Sequence, residues 1–173
     1  YYEQEEASIH HILTEKQIPF HWIYLISSEK QYEDLEKLET KYGNEYVEVH
    51  PIYTGDNLPF FEENVYLAEE DILQSNYDKQ DIFAHQVMNT NFWGRLSVLP
   101  DGKVYSNLNH PPLGTLKDRV YDLIVDEMTS KRAWRWIRDE VSPCKDCLFR
   151  YLCPSPSNYE LVIGKPNLCH VKP

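Results

Sequence analysis

The sequence predicts an α/β protein that closes on a metal knuckle, and three observations carry that reading. Residues 21–51 run strand, helix, strand. A β-hairpin signal is centred on Pro100-Asp101-Gly102. Four cysteines, Cys144, Cys147, Cys153 and Cys169, crowd the C-terminal end, with none before them.

Residues 7–17 read as a helix whose polar and apolar positions are only partly sorted, stopped by Pro19. His21-Trp22-Ile23-Tyr24-Leu25-Ile26 is a near-continuous apolar run, the pattern of a strand buried on both faces. Ser28 followed by Gln31 is a capping-box signature. The helix it opens carries Tyr32, Leu35, Leu38 and Tyr42 on one side, pairs Glu33 with Lys37 on the other, and has Gly43 as its stop. Tyr46 to Val49 alternate into a second strand ended by Pro51. This order predicts a parallel crossover unit, because parallel strands need a long connection between them.

A helix is expected from about Phe60 to Gln74. Residues 75–92 are polar and weakly periodic, and read as a connection between two structural units. Arg95-Leu96-Ser97-Val98-Leu99 and Lys103-Val104-Tyr105-Ser106-Asn107 then flank the Pro-Asp-Gly turn as hairpin strands. Two helical stretches are expected next. The first carries a stripe of Val120, Leu123, Ile124 and Met128; the second takes its apolar bulk from Ala133, Trp134, Trp136 and Ile137.

The chain has 173 residues, 42% hydrophobic and 26% charged, within the range of ordinary globular proteins. A net charge of −11 argues against nucleic acid as a partner, because a phosphate groove needs an excess of Lys and Arg. Lys131, Arg132, Arg135 and Arg138 are candidates for a local basic patch, with the solvated face of a helix as the favoured reading. No apolar run approaches the ~20 residues that cross a bilayer, so no membrane role is expected. Tyr1-Tyr2-Glu3-Gln4-Glu5-Glu6 does not read as a secretory leader. The start without methionine leaves a longer parent chain open. Four cysteines crowded into the last 30 residues suit a metal site in a reducing cytoplasm better than a disulfide framework, with disulfides or free thiols as the alternatives.

Cys144-x2-Cys147 sets two thiols on one tight turn; Cys153 and Cys169 follow. Four soft ligands suit zinc or an iron–sulfur cluster and poorly suit magnesium or calcium. A thioredoxin-like redox turn needs only two cysteines, whereas here four gather. Structural zinc sites usually pair two short hooks, and the isolated Cys169 fits that template less well. His170, beside Cys169, is an alternative zinc ligand, with a surface histidine the plainer reading. The other histidines show no ligand spacing. Glu62, Glu63, Glu69, Glu70 and Asp71 read as a solvated acidic face, and Trp93, Trp134 and Trp136 as core, shielding the metal. No phosphate-cradling glycine loop, HExxH pair or GxSxG elbow is present.

Cys144-Lys145-Asp146-Cys147-Leu148-Phe149-Arg150-Tyr151-Leu152-Cys153-Pro154 resembles the SPASM domain of radical S-adenosylmethionine enzymes that modify ribosomal peptides. Val98-Leu99-Pro100-Asp101-Gly102-Lys103-Val104-Tyr105 is similar to that domain's entry hairpin, and Leu113-Gly114-Thr115-Leu116 to the glycine-containing segment after it. The likeness covers about residues 90–173. More loosely, residues 1–80 resemble the closing strands and helices of the partial (β/α) barrel that precedes such a domain. The resemblance implies two parts: residues 1–83 as the end of the barrel, and 84–173 as a SPASM-like hairpin, helices and knuckle.

It further implies one auxiliary [4Fe-4S] cluster on Cys144, Cys147, Cys153 and Cys169, with Zn2+ in the same four-cysteine site as the alternative. The family's other auxiliary cluster takes cysteines where this chain has Asn107 and Ser157, and its upstream ligands fall where residues 84–101 hold no cysteine. The barrel's own C-x3-C-x2-C motif is also absent from these residues. A degenerate member is therefore expected, an accessory protein of peptide maturation whose partner is a precursor peptide or a maturation enzyme. The alternatives are a fragment of an active radical SAM enzyme and a zinc-stabilised interaction module.

Overall fold

A computed structural model describes residues 3–42 and 47–171 of the chain. The fold is mixed α/β and divides into two compact units, Tyr1–Phe61 and Glu62–Pro173. The boundary expected at residue 83 lies within a helix of the second unit.

In the first unit, α1 (Glu3–Glu15) starts earlier than expected and ends before Pro19, where Gln17 adopts a left-handed φ of 52°. β1 (Trp22–Ile26), α2 (Glu29–Tyr42) and β2 (Val47–Pro51) form the expected parallel crossover, with Trp22 opposite Val47 and Ile26 opposite Pro51. β1 is not buried on both faces. Ile26 is buried, but Ile23 and Leu25 are 59% and 60% exposed. The reason is that, among the described residues, the sheet has two strands and no layer covers the face that carries Ile23 and Leu25.

Details of α2 also differ from expectation. Gln31 Oε1 accepts from Ser27 N and Oγ at 2.8 and 3.1 Å, one residue further back than a box on Ser28. Lys37 pairs with Asp34 at 2.6 Å, one turn away, rather than with Glu33. Leu35 is buried, whereas Tyr32 is largely exposed. The side chains of Leu38 and Tyr42, and residues Gly43 and Tyr46, lie outside the described residues. After β2, Asn57 Nδ2 donates to Ser27 O and Ile52 O, tying the loop to the end of β1. Phe61, fully buried, stacks edge-on against Tyr53; burial of a ring of that size contributes roughly 1.5–3 kcal/mol.

The helix expected over 60–74 is two helices, α3 (Leu58–Asn64) and α4 (Glu69–Leu73), because Leu67 leaves the helix to pair with Cys169. The connection expected over 75–92 contains α5 (Lys79–Val87). Its Asp78 cap accepts from Gln80 N and Asp81 N, and Asp81 answers by accepting from Asp78 N. This reciprocal cap supplies the start that the weak periodicity concealed.

The hairpin forms as expected, with β3 (Ser97–Val98) antiparallel to β4 (Lys103–Tyr105) and Gly102 at a φ of 79° in the turn. A third strand, β5 (Gly114–Thr115), adds to the other side of β4. α6 (Val120–Ser130) follows. Of its expected stripe Leu123 is buried and Met128 partly so, but Val120 is 60% exposed.

The second expected helix does not form. Lys131 is left-handed, and the fully buried Glu127 accepts from Ala133 N (2.7 Å), Trp134 N (2.9 Å) and Ser106 Oγ (2.7 Å). Those donors are thereby held in a turn. Ala133, Trp134 and Phe92 make a core cluster with Leu96, Met128 and Trp136, while Trp93 remains 38% exposed at its edge. The basic residues are not one solvated helix face either: Lys131 pairs with Glu140, Arg132 with Asp126, and Arg138 is buried. α7 (Asn158–Ile163), capped by Ser157, precedes the C-terminal segment.

Candidate metal centre

Each cysteine is placed by backbone bonds, local for the first three and long-range for the fourth. A short 3-10 turn spans Cys144–Asp146, and Cys147 N donates to Cys144 O at 2.9 Å, which returns the second thiol beside the first. Cys153 N donates to Phe149 O at 3.0 Å, turning the third thiol inward after five intervening residues. Cys169 arrives by a parallel bridge with Leu67, in which Leu67 N donates to Leu168 O and His170 N to Leu67 O, both at 3.0 Å. The loop between the second and third cysteines is pinned from two sides. His85 Nδ1 of α5 lies 2.9 Å from Tyr151 O, and Tyr151 Oη donates to Asp139 at 2.7 Å.

All four cysteines line one pocket, together with the apolar side chains of Leu67, Ile72 and Leu168 and the guanidinium of Arg138. Among the described residues, no carboxylate and no imidazole lines it. All four are free thiols. Among the described residues, no group of three or more His, Cys, Asp or Glu side chains is arranged to hold one metal ion. The pocket encloses about 20 Å3. Four sulfurs closed on one zinc at bonds of about 2.3 Å stand about 3.8 Å apart and leave no room for a water. Four thiols are a soft donor set, but in this structure they are not arranged as a single-ion site.

Burial pushes the Cys153 thiol up to about 11, and raises Cys144 as well; in both the positive charge of Arg138 acts the other way. A metal held by these thiols would displace their protons, so that its affinity would rise with pH.

Sequence reasoning missed Arg138. Its side chain is 7% exposed, and it bonds to four partners: Pro154 O (3.1 Å), Pro166 O (3.2 Å), Cys144 Sγ (3.8 Å) and Glu160 Oε1 (2.7 Å). Its place beside the knuckle is visible in the sequence, but an arginine in a basic run carries no mark of burial. Asn167 Nδ2 also donates to Cys169 Sγ at 3.5 Å. His170 is exposed, lies off the pocket, and bonds to Glu62 O. The tryptophans do not line the pocket.

The two positions where the resemblance implies ligands of another cluster carry hydrogen bonds instead. Asn107, buried, donates to Asn158 Oδ1 at 2.7 Å, and Ser157 caps α7. Oxygen and amide groups satisfied in this way do not suit an iron–sulfur cluster.

A mixed α/β chain with a four-thiol pocket is the class that fold and site define. Compared with protein-family models, with curated proteins and with solved structures, the chain matches none.

Proposed function

We propose that this chain is a SPASM-like, iron–sulfur-binding accessory protein of ribosomal peptide maturation, with one auxiliary [4Fe-4S] cluster on Cys144, Cys147, Cys153 and Cys169. The observation that carries the reading is the convergence of all four thiols on one pocket that, among the described residues, no carboxylate or imidazole lines. When bound, the cluster supplies an electron-carrying centre. The chain's own residues hold it, shield it with Leu67, Ile72 and Leu168, and donate to its thiolates.

The partner in this reading is a precursor peptide or the maturation enzyme that carries one. β3 and β5 are the edges of their sheet among the described residues, and an edge offers backbone donors and acceptors to an extended peptide. A thiolate-held cluster fits a reducing compartment such as the cytoplasm. Among the described residues no helix is long and apolar enough to cross a membrane.

The test is anaerobic reconstitution with iron and sulfide. The expected result is a cluster of about four irons per chain with a thiolate-to-iron charge-transfer spectrum. Failure to take up iron while zinc binds stoichiometrically replaces this reading with a zinc-stabilised interaction module.

A further inference from the structure

We propose that Arg138 is a positioning residue for the metal centre: its guanidinium ties together the segments that carry Cys144, Cys153 and Cys169, places a positive charge at the Cys144 sulfur, and is itself held by Glu160. The proposal rests on the metal-centre reading above and adds the element that organises and tunes it.

The geometry is specific to a guanidinium. Nε donates to Pro154 O, one residue after Cys153. Nη1 faces both Pro166 O, on the segment leading to Cys169, and Cys144 Sγ. Nη2 donates to Glu160 Oε1. One rigid, planar, permanently charged fork thus spans three stretches that the sequence separates, which a lysine cannot do.

Glu160 is fixed in turn. Its Oε2 accepts from Ser157 N at 2.8 Å and Ser157 Oγ at 2.5 Å, so the capping box of α7 also orients the partner of Arg138. A chain of bonds runs from the Ser157 cap through Glu160 and Arg138 to a candidate ligand sulfur.

This placement has an electrostatic consequence. Four thiolates around a metal accumulate negative charge, and a buried cation beside one of them favours the more negative, reduced state. Hydrogen bonds and charge near the ligand sulfurs set cluster potentials, and outer partners of this kind typically govern metal affinity by about 10–100-fold. Glu160 opposes the charge of Arg138 from the far side. Removing either residue therefore has opposite effects on the centre.

The experiment measures the reduction potential and iron affinity of the reconstituted full chain. Arg138→Met is expected to lower the potential and to weaken iron binding by about 10–100-fold. Glu160→Gln keeps a side chain suited to the capping position and is expected to raise the potential. Arg138→Lys should recover part of the potential and little of the affinity, since it restores charge but not the fork. Arg138→Met combined with Glu160→Gln removes both charges together and provides a folded comparison where the single arginine variant is unstable; its potential should again fall below wild type.

A cluster whose potential in these variants equals that of wild type, or moves in one direction in all of them, overturns the role of Arg138 and leaves the cluster reading standing. A chain that takes zinc but never iron overturns the cluster reading alone. The cobalt(II)-substituted protein then reports the arginine, through a thiolate charge-transfer band that must shift in opposite directions in Arg138→Met and Glu160→Gln. A chain that binds neither metal overturns both.

Discussion

Leu67 and Cys169 are joined as neighbours in a parallel bridge, although about a hundred residues of chain separate them. The bridge brings the segment carrying the fourth cysteine to the pocket. Proline at position 67 removes the N–H that donates to Leu168 O, a bond worth about 1 kcal/mol. Leu67→Pro is expected to lower metal content, and Leu67→Ala, which keeps the backbone bond, to lower it less. Iron per chain after anaerobic desalting measures the difference.

Replacing Cys144, Cys147, Cys153 or Cys169 by Ala should abolish stoichiometric metal binding and expose residues 140–171 to hydrogen exchange, since binding and folding are coupled in small knuckles. Ser157→Ala should keep the metal. Its cost is a lost helix cap, about 1 kcal/mol of stability in urea denaturation. Full metal content in Cys169→Ala would show that another group provides the fourth bond.

Gly114 is tightly enclosed. A Cβ there would lie 2.7 Å from Asp118 Oδ2 and 2.7 Å from Leu123 Cδ2. Gly114→Ala should therefore push α6 away from β5 and lower stability by about 1–3 kcal/mol, read from thermal or urea unfolding.

Asp118 accepts from Thr115 N at 2.7 Å and Thr115 Oγ1 at 3.0 Å, and these bonds hold its carboxyl below the ordinary value of 3.8. The folded state thus gives up this proton more readily than the unfolded state. The contribution is complete above about pH 5 and is lost as pH falls from there through the lowered folded value. The stability difference between wild type and Asp118→Asn should be constant from about pH 5 to 7 and shrink below about pH 5.

Glu127 holds a turn, not a charge partner. Glu127→Ala strands the N–H groups of Ala133 and Trp134 and should cost about 3 kcal/mol, at roughly 1–3 kcal/mol for each buried orphan. Glu127→Gln keeps an acceptor for both and should cost much less. Chemical denaturation of the two variants separates these outcomes.

S-adenosylmethionine should not be cleaved by this chain alone. Radical cleavage needs an iron with an open coordination position, and a cluster held by four cysteines has none. Formation of 5′-deoxyadenosine by the isolated, reduced chain would overturn the accessory reading. Binding of a precursor peptide at the β3 edge should be weakened by Val98→Pro, because proline removes a ladder donor. Equal binding by both proteins in a titration would exclude that edge.

What the sequence determined by itself were features set by neighbours along the chain. The β1–α2–β2 crossover, the turn at Pro100-Asp101-Gly102 and the Cys144-x2-Cys147 hook were all legible, because each rests on local periodicity, turn chemistry or spacing. Tertiary structure decided what distant segments impose. It split the expected helix at Leu67, since a bridge to Cys169 outweighs helix propensity over a few residues. It bent residues 131–137 around the Glu127 carboxylate, where apolar content alone suggested a helix. It also buried Arg138, which reads as one more exposed cation until Glu160, Pro154 and Pro166 are folded around it. A charge enters a protein interior only when partners meet it there, and those partners lie 16 to 28 residues further along the chain.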